Sequence, residues 1–325
     1  MSNVAIFVPH AGCPCQCSFC NQKVISGQME AVSAASVTHI LQKALENPRH
    51  RENQIAFFGG SFTAIDRDLM KALLEATVPF QSEFAGIRIS TRPDAIDEEV
   101  LSFLKPYGVQ AIELGAQSMQ NSVLALNRRG HTARDVVRAS KLVKEHGFEL
   151  GLQMMTGLYG DTDAMAIDTA EQLAALEPTT VRIYPTVVLA GTELDRLYRA
   201  GTYVPQSVEQ AVSLCVKLMP IFENKGIQII RLGLHASEEL SAQRTAGAYH
   251  PAFKELCLAR IYYKKALSLL QEQPHGAYTL AVGSKHLSQM AGQKKENIIK
   301  LRQAGYDVKI IPDDSLGVYQ VKVVN

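Results

Sequence analysis

Short apolar runs rich in β-branched and aromatic residues recur along the first two-thirds of the chain, and each is followed by a segment whose apolar positions repeat at helical spacing. Residues 4–8, 54–58, 86–90, 109–114, 148–154 and 179–184 read as strands. Several are almost continuously apolar, the pattern of strands covered on both faces in a parallel sheet. Amphipathic segments at 33–45, 66–76, 97–104, 132–146 and 163–176 lie between them. Asp66, Asp97, Thr132 and Asp163 stand where helix N-caps belong, because their side-chain oxygens can accept from the amides of a first turn. Six βα units in succession predict an α/β fold, a partial TIM-type (β/α)6 barrel, since right-handed crossovers set successive parallel strands side by side. A seventh strand is expected within 227–234.

Beyond residue 235 the rhythm changes. The stretch "HASEELSAQRTAGAYHP" has the composition of a loop, a helix follows at 252–270, and "EQPHG" breaks it. The last fifty residues read β–α–α–β–β. The expected organisation is a barrel over 1–235, a linker and helix over 236–274, and a small C-terminal α/β domain over 275–325. No internal repeat beyond the βα unit stands out.

Composition narrows the class without naming it. Hydrophobic residues make up 46% of the 325, charged residues 20%, and the formal net charge is +1. These values are ordinary for a globular protein and announce neither nucleic acid nor a lipid surface. No apolar run approaches the length of a membrane span. The start, "MSNVAIFVPH", reads as a first strand rather than a leader, so a cytoplasmic location is expected. In that reducing compartment, clustered cysteines point to a metal or redox site before a disulfide framework.

Four of the six cysteines fall within "FVPHAGCPCQCSFCNQ", just past the first strand. Cys13, Cys17 and Cys20 have the spacing C-x3-C-x2-C. Three thiolates on a tight loop can hold three corners of a four-iron cluster and leave one iron open. Cys15 splits the first gap and reads as a bystander. A zinc site using all four thiols is the competing reading, although structural zinc motifs pair C-x2-C units across a wider gap.

"CSFC", with Phe19 before the last cysteine, resembles the signature of radical S-adenosylmethionine enzymes. That resemblance implies a [4Fe-4S] cluster whose open iron binds the amino and carboxylate groups of S-adenosylmethionine, and reductive cleavage to a 5′-deoxyadenosyl radical. The other strand ends carry matching polar groups: Gly59 and Gly60 in "FFGGSF", Ser90 and Thr91 in "ISTRPD", Gln117 and Ser118 in "ELGAQS", and Gln153 in "LGLQMMTGLYG". "LNRRGHT" adds Arg128, Arg129 and His131 between two of them. In a barrel, function gathers where strands end and βα loops begin.

Together with "IYPTVVLAGTEL", these motifs resemble the radical domain of the Elongator catalytic-subunit family over roughly 1–205, and more loosely oxygen-independent coproporphyrinogen oxidase. By that resemblance Cys13, Cys17 and Cys20 hold the cluster, while Phe19, Gly59, Gly60, Ser90, Gln117, Arg129 and Gln153 line the S-adenosylmethionine pocket. Ser90 stands where relatives often carry glutamate. The remaining residues are too few for an acetyltransferase domain, so the Elongator reaction on wobble uridine is not expected.

The final segment resembles a KH-type RNA-binding unit, whose GXXG turn joins two helices. Its turn reads Gly292-Gln293-Lys294-Lys295, without the second glycine. A small cap closing the barrel is the alternative. The leading expectation is a radical S-adenosylmethionine enzyme acting on RNA such as tRNA, with flavodoxin or ferredoxin as electron donor and no membrane partner. A non-catalytic iron–sulfur or zinc protein that binds RNA stands against it, as does an enzyme acting on a small molecule such as a tetrapyrrole.

Overall fold

A computed structural model describes residues 2–8, 12–13, 15–21, 32–235 and 237–324. The first part of the chain runs β1 (Ser2–Val8), α1 (Ala34–Ala44), β2 (Asn53–Gly59), α2 (Arg67–Glu75), β3 (Ile87–Thr91), α3 (Glu98–Leu104) and β4 (Val109–Gln117). Then follow α4 (Asn121–Leu126), α5 (Ala133–Glu145), β5 (Glu149–Thr156), α6 (Asp163–Ala175), β6 (Thr180–Pro185), β7 (Val187–Leu189), α7 (Glu193–Arg199), α8 (Val208–Glu223) and β8 (Gln228–Leu232). Among the described residues, β1-β2-β3-β4-β5-β6-β8 pair in that order, all parallel, in a curled half-barrel. β8 lies within the expected 227–234 run and makes the sheet one strand wider than six units.

Asp66, Asp97 and Thr132 cap α2, α3 and α5 as read from sequence. At α6 the cap is Thr162, whose hydroxyl accepts from the Met165 amide, and Asp163 sits inside the first turn. Both residue types cap well and they are adjacent, so composition alone does not separate them. The stretch after 235 is also more ordered than its composition implied. Ser237 caps α9 (Glu238–Gln243), and β9 (Arg244–Gly247) pairs antiparallel with β7. Short elements of this kind leave almost no periodic signal.

α10 (Phe253–Leu270) belongs to two cores. Phe253, Cys257, Leu258 and Ile261 pack into the half-barrel core, whereas Tyr262, Ala266 and Leu270 pack into the core of the C-terminal segment. That segment consists of β10 (Gly276–Val282), α11 (Leu287–Ala291), α12 (Glu296–Gln303), β11 (Tyr306–Pro312) and β12 (Lys322–Val323). β10 is central, parallel to β11 and antiparallel to β12. The turn between α11 and α12 holds Lys294 at φ 51° and Lys295 at φ 62°, left-handed conformations that glycine adopts more readily. Among the described residues no helix is long and apolar enough to cross a membrane.

Candidate active site

The cysteine loop is fixed by hydrogen bonds to distant parts of the chain. The Ser18 amide donates to the Asn127 carbonyl at 3.1 Å, and the Ser18 hydroxyl donates to Asn127 Oδ1 at 2.7 Å. Asn127 Nδ2 in turn donates to the Val123 and Tyr159 carbonyls. The Leu194 amide, at the start of α7, donates to the Ser18 carbonyl at 2.8 Å. Phe19 packs with Val188, Leu194 and Tyr203. A loop anchored on three sides presents its thiols in a fixed arrangement.

Those thiols meet a cavity of about 620 Å3 that fills the interior of the half-barrel. Phe19, Gly59, Gly60, Ser90, Gln117, Arg129 and Gln153 all line it, together with Cys13 and Cys20. Cys17 lies behind the wall, 6% exposed, with Arg129 Nη1 donating to its sulfur at 3.4 Å. Cys15 lines a separate hollow with Gln16, Ala125, Arg128 and Gly130. No disulfide joins any of the six cysteines. Among the described residues no three His, Cys, Asp or Glu side chains converge closely enough to hold one metal ion, as zinc requires. In a four-iron cluster each thiolate binds a different iron and need not converge on one point.

β4 ends in strained backbone beside the loop. Gln117 has φ 65°, and the register with β5 shifts between Gly115 and Gln117. The Arg129 guanidinium crosses Gly115, donating from Nη2 to its carbonyl at 2.7 Å. A Cβ at Gly115 would stand 2.7 Å from that Nη2, so the close approach needs glycine. Arg129 Nε and Gln117 Oε1 are buried and have no hydrogen-bond partner among the described residues. Buried polar atoms cost free energy when left unpaired, and these two belong to residues that line the cavity, as do the unpartnered Arg88 Nη1, Arg92 Nη1 and Thr180 Oγ1. Arg92, paired to Asp94 through two hydrogen bonds, adds a second guanidinium close to Cys15 and Cys17. Burial and the neighbouring Arg129 lower the pKa of His131 to about 4, so this imidazole is neutral at pH 7.

Deeper in the cavity lies a charged cluster that sequence reading missed. Glu113 is 1% exposed and accepts from Arg182 Nε at 2.7 Å and Nη2 at 2.8 Å. Gln153 Nε2 also donates to Glu113 at 2.8 Å and reaches Ser90 Oγ at 3.3 Å, so those two residues are tied to the cluster as well as lining the cavity. Arg88 lies 3.5 Å from Glu113 and donates to Gln54 and Glu149. The signal was present in "GIRIS", "AIEL" and "TVRIY": one charged residue inside each of three apolar runs. Isolated charges at inward positions must be paired when buried, and each forecasts the others.

The Radical SAM superfamily model matches residues 7–173, and the Radical_SAM C-terminal domain model matches 178–264. An uncharacterized protein of Methanocaldococcus jannaschii is 29% identical over 216 residues, 64% of this chain and 63% of that protein. The tRNA uridine(34) acetyltransferase of the same organism is 32% identical over 129 residues, 39% of this chain and 24% of that enzyme. Elongator complex protein 3 of Dictyostelium discoideum is 32% identical over 179 residues, 54% of this chain and 31% of that protein. The chain thus spans less than two thirds of the length of each of these relatives. Among solved structures, Elp3 of Methanocaldococcus infernus with an N-terminal deletion superposes with TM-score 0.61 at 19% identity, over 82% of this chain and 68% of that one. Coproporphyrinogen III oxidase from Escherichia coli gives 0.50 at 17% identity, over 68% of this chain and 52% of that one. These two likenesses are of fold. The superfamily match, running from the end of β1 into α6, covers more than half of the sequence and includes the cysteine loop, so the chain belongs to the Radical SAM superfamily, whose members are enzymes.

Proposed function

We propose that the protein holds a [4Fe-4S] cluster on Cys13, Cys17 and Cys20, binds S-adenosylmethionine beside it, and modifies a nucleotide of RNA such as tRNA. The observation that carries the cofactor reading is the pair of buried, unpartnered atoms, Gln117 Oε1 and Arg129 Nε, in the cavity wall next to the thiols. When bound, the cluster supplies the electron that cleaves the sulfonium, delivered to it by a donor such as flavodoxin or ferredoxin. The chain's own residues orient the cofactor. Arg129 offers a guanidinium to the methionine carboxylate. Gly59 and Gly60, at the end of β2, let the amino group approach backbone closely. Ser90 and Gln153 offer polar contacts further in, and Phe19 closes the loop against water. Anaerobically reconstituted protein with dithionite and S-adenosylmethionine is expected to release 5′-deoxyadenosine; none above a no-protein control sinks this reading.

Arg129→Ala is expected to weaken S-adenosylmethionine binding by about ten- to a hundredfold, the equivalent of a charge-assisted hydrogen bond worth about 1.5–3 kcal/mol. Equilibrium dialysis on protein of unchanged iron content measures it. Unaltered affinity removes Arg129 from the cofactor's carboxylate.

The RNA reading draws support from relatives named for tRNA and from the C-terminal segment. Residues 285–325 hold seven lysines and arginines against four acids, a balance of +3 in a chain of +1. Lys294 and Lys295 stand in the turn before α12. Replacing both with glutamate is expected to weaken tRNA binding and flatten its salt dependence, because fewer counterions are released. Filter binding across a salt series gives the slope, and an unchanged slope returns the turn to a structural cap.

A further inference from the structure

The ion pairs inside the half-barrel do not use every cation. Arg92 is matched by Asp94, and Arg182 and Arg88 share Glu113, with Glu149 beside Arg88. Arg129 faces the cysteine loop. That leaves Arg231, near the end of β8. It lines the cavity, is partly buried, and among the described residues has neither a carboxylate within ion-pairing distance nor a hydrogen bond.

Its position is set by register. Gly115 pairs with Gln153, Gln153 with Arg182, and Arg182 with Arg231, so four neighbouring strands bring these residues to one level. At about 4.8 Å between strands, Arg231 stands roughly 14 Å along the curved wall from Gly115. Gly115 is where the Arg129 guanidinium crosses. The two guanidiniums, neither of them paired to a carboxylate among the described residues, thus line the same chamber, Arg129 at the central strand β4 and Arg231 on the edge strand β8. Tyr184 also lines the chamber, within electrostatic reach of Arg231 and hydrogen-bonded to Arg182, which leaves its hydroxyl proton to donate. Arg182 is held over the Phe58 ring, 5.0 Å from its centroid, and is already engaged by Glu113. A guanidinium on a low-dielectric wall beside other arginines focuses positive potential on the space in front of it.

We propose that Arg231, with the Tyr184 hydroxyl, forms an oxyanion subsite that holds a phosphate or carboxylate of the substrate on the β6–β8 side of the chamber. The inference rests on the reading of this cavity as the reaction chamber and adds to it the charge of the substrate. Arginine suits the role because its planar fork can give a carboxylate or phosphate two parallel hydrogen bonds. Arg129, near β4, is left to the cofactor, so the substrate's anion and the cofactor's carboxylate use different guanidiniums.

The test is equilibrium dialysis of labelled inorganic phosphate and labelled succinate against reconstituted protein without S-adenosylmethionine, at fixed ionic strength. Wild type is expected to hold one of these anions at a site that Arg231→Gln weakens at least tenfold and Arg231→Lys partly restores. Arg129→Gln leaves that site in place. Tighter phosphate assigns a nucleotide phosphate, and tighter succinate assigns a carboxylate. Binding of neither anion, equal binding by Arg231→Gln, or loss in Arg129→Gln alone overturns the subsite. Because this readout needs no cofactor, its failure and the failure of S-adenosylmethionine cleavage register in separate experiments.

Discussion

Replacing Cys13, Cys17 or Cys20 with alanine is expected to strip the protein of its cluster, whereas Cys15→Ala keeps it. Reconstituted wild type should carry about four irons per chain, as one cluster on one three-cysteine loop demands. Each of the three variants should fall close to background in iron, sulfide and visible absorbance. The asymmetry comes from where the side chains lie. Cys13 and Cys20 face the main cavity, and Cys17 is buried against Arg129 at its rim. Cys15 instead lies against Gly130, where a Cβ on that glycine would come within 2.6 Å of its sulfur. The hydrogen bonds from Ser18 to Asn127 and from Leu194 to Ser18 do not involve Cys15. Its removal therefore leaves the loop's anchors intact. Equal loss of iron in Cys15→Ala would show that the ligand set is wrong.

Glu113→Ala is expected to cost about 3–5 kcal/mol of folding stability, the penalty for breaking a buried ion pair by removing one partner. Arg182 would then be left 12% exposed without its two hydrogen bonds to carboxylate, and Arg88 would keep only Gln54 and the half-exposed Glu149. At present the neighbouring Glu113 and Tyr184 favour the charged guanidinium of Arg182 against the opposing effect of its burial. Urea denaturation at neutral pH measures the loss. Adding Arg182→Met to Glu113→Ala should recover part of it, because the stranded charge is then gone. A single mutant within about 1 kcal/mol of wild type would mean that water replaces the carboxylate and that the cluster is not energetically coupled.

Features encoded by neighbouring residues were legible in the sequence. The parallel strands declared themselves as apolar runs, and Asp66, Asp97 and Thr132 declared their helices through short polar side chains in front of them. The cysteine spacing is local in the same sense. What joins the site across the fold was not legible. Arg129 and Cys17 are 112 residues apart, and only the closure of β4 against the loop brings them together. The left-handed backbone at Gln117 has no sequence mark, since glutamine does not favour it. Ser90 and Gln153 were read as independent groups at two strand ends, yet pairing through β4 joins them by a hydrogen bond. β9 escaped notice because a four-residue strand is too brief to alternate visibly.

The helix shared by the two cores has a consequence for how the molecule comes apart. α10 places Cys257 and Ile261 in one core and the adjacent Tyr262, with Ala266 one turn on, in the other. Fraying the C-terminal sheet strips apolar cover from a helix that the half-barrel also depends on, so the two regions are expected to melt as a single cooperative unit rather than as a bead on a string. Tyr319 strengthens the coupling, its hydroxyl donating to Glu223 on α8 while its amide donates to the Tyr262 hydroxyl. A ligand bound at the C-terminal segment is therefore expected to stiffen α10 and α8, the helices that pack behind β6 and β8. Those are the strands that carry Arg182 and Arg231.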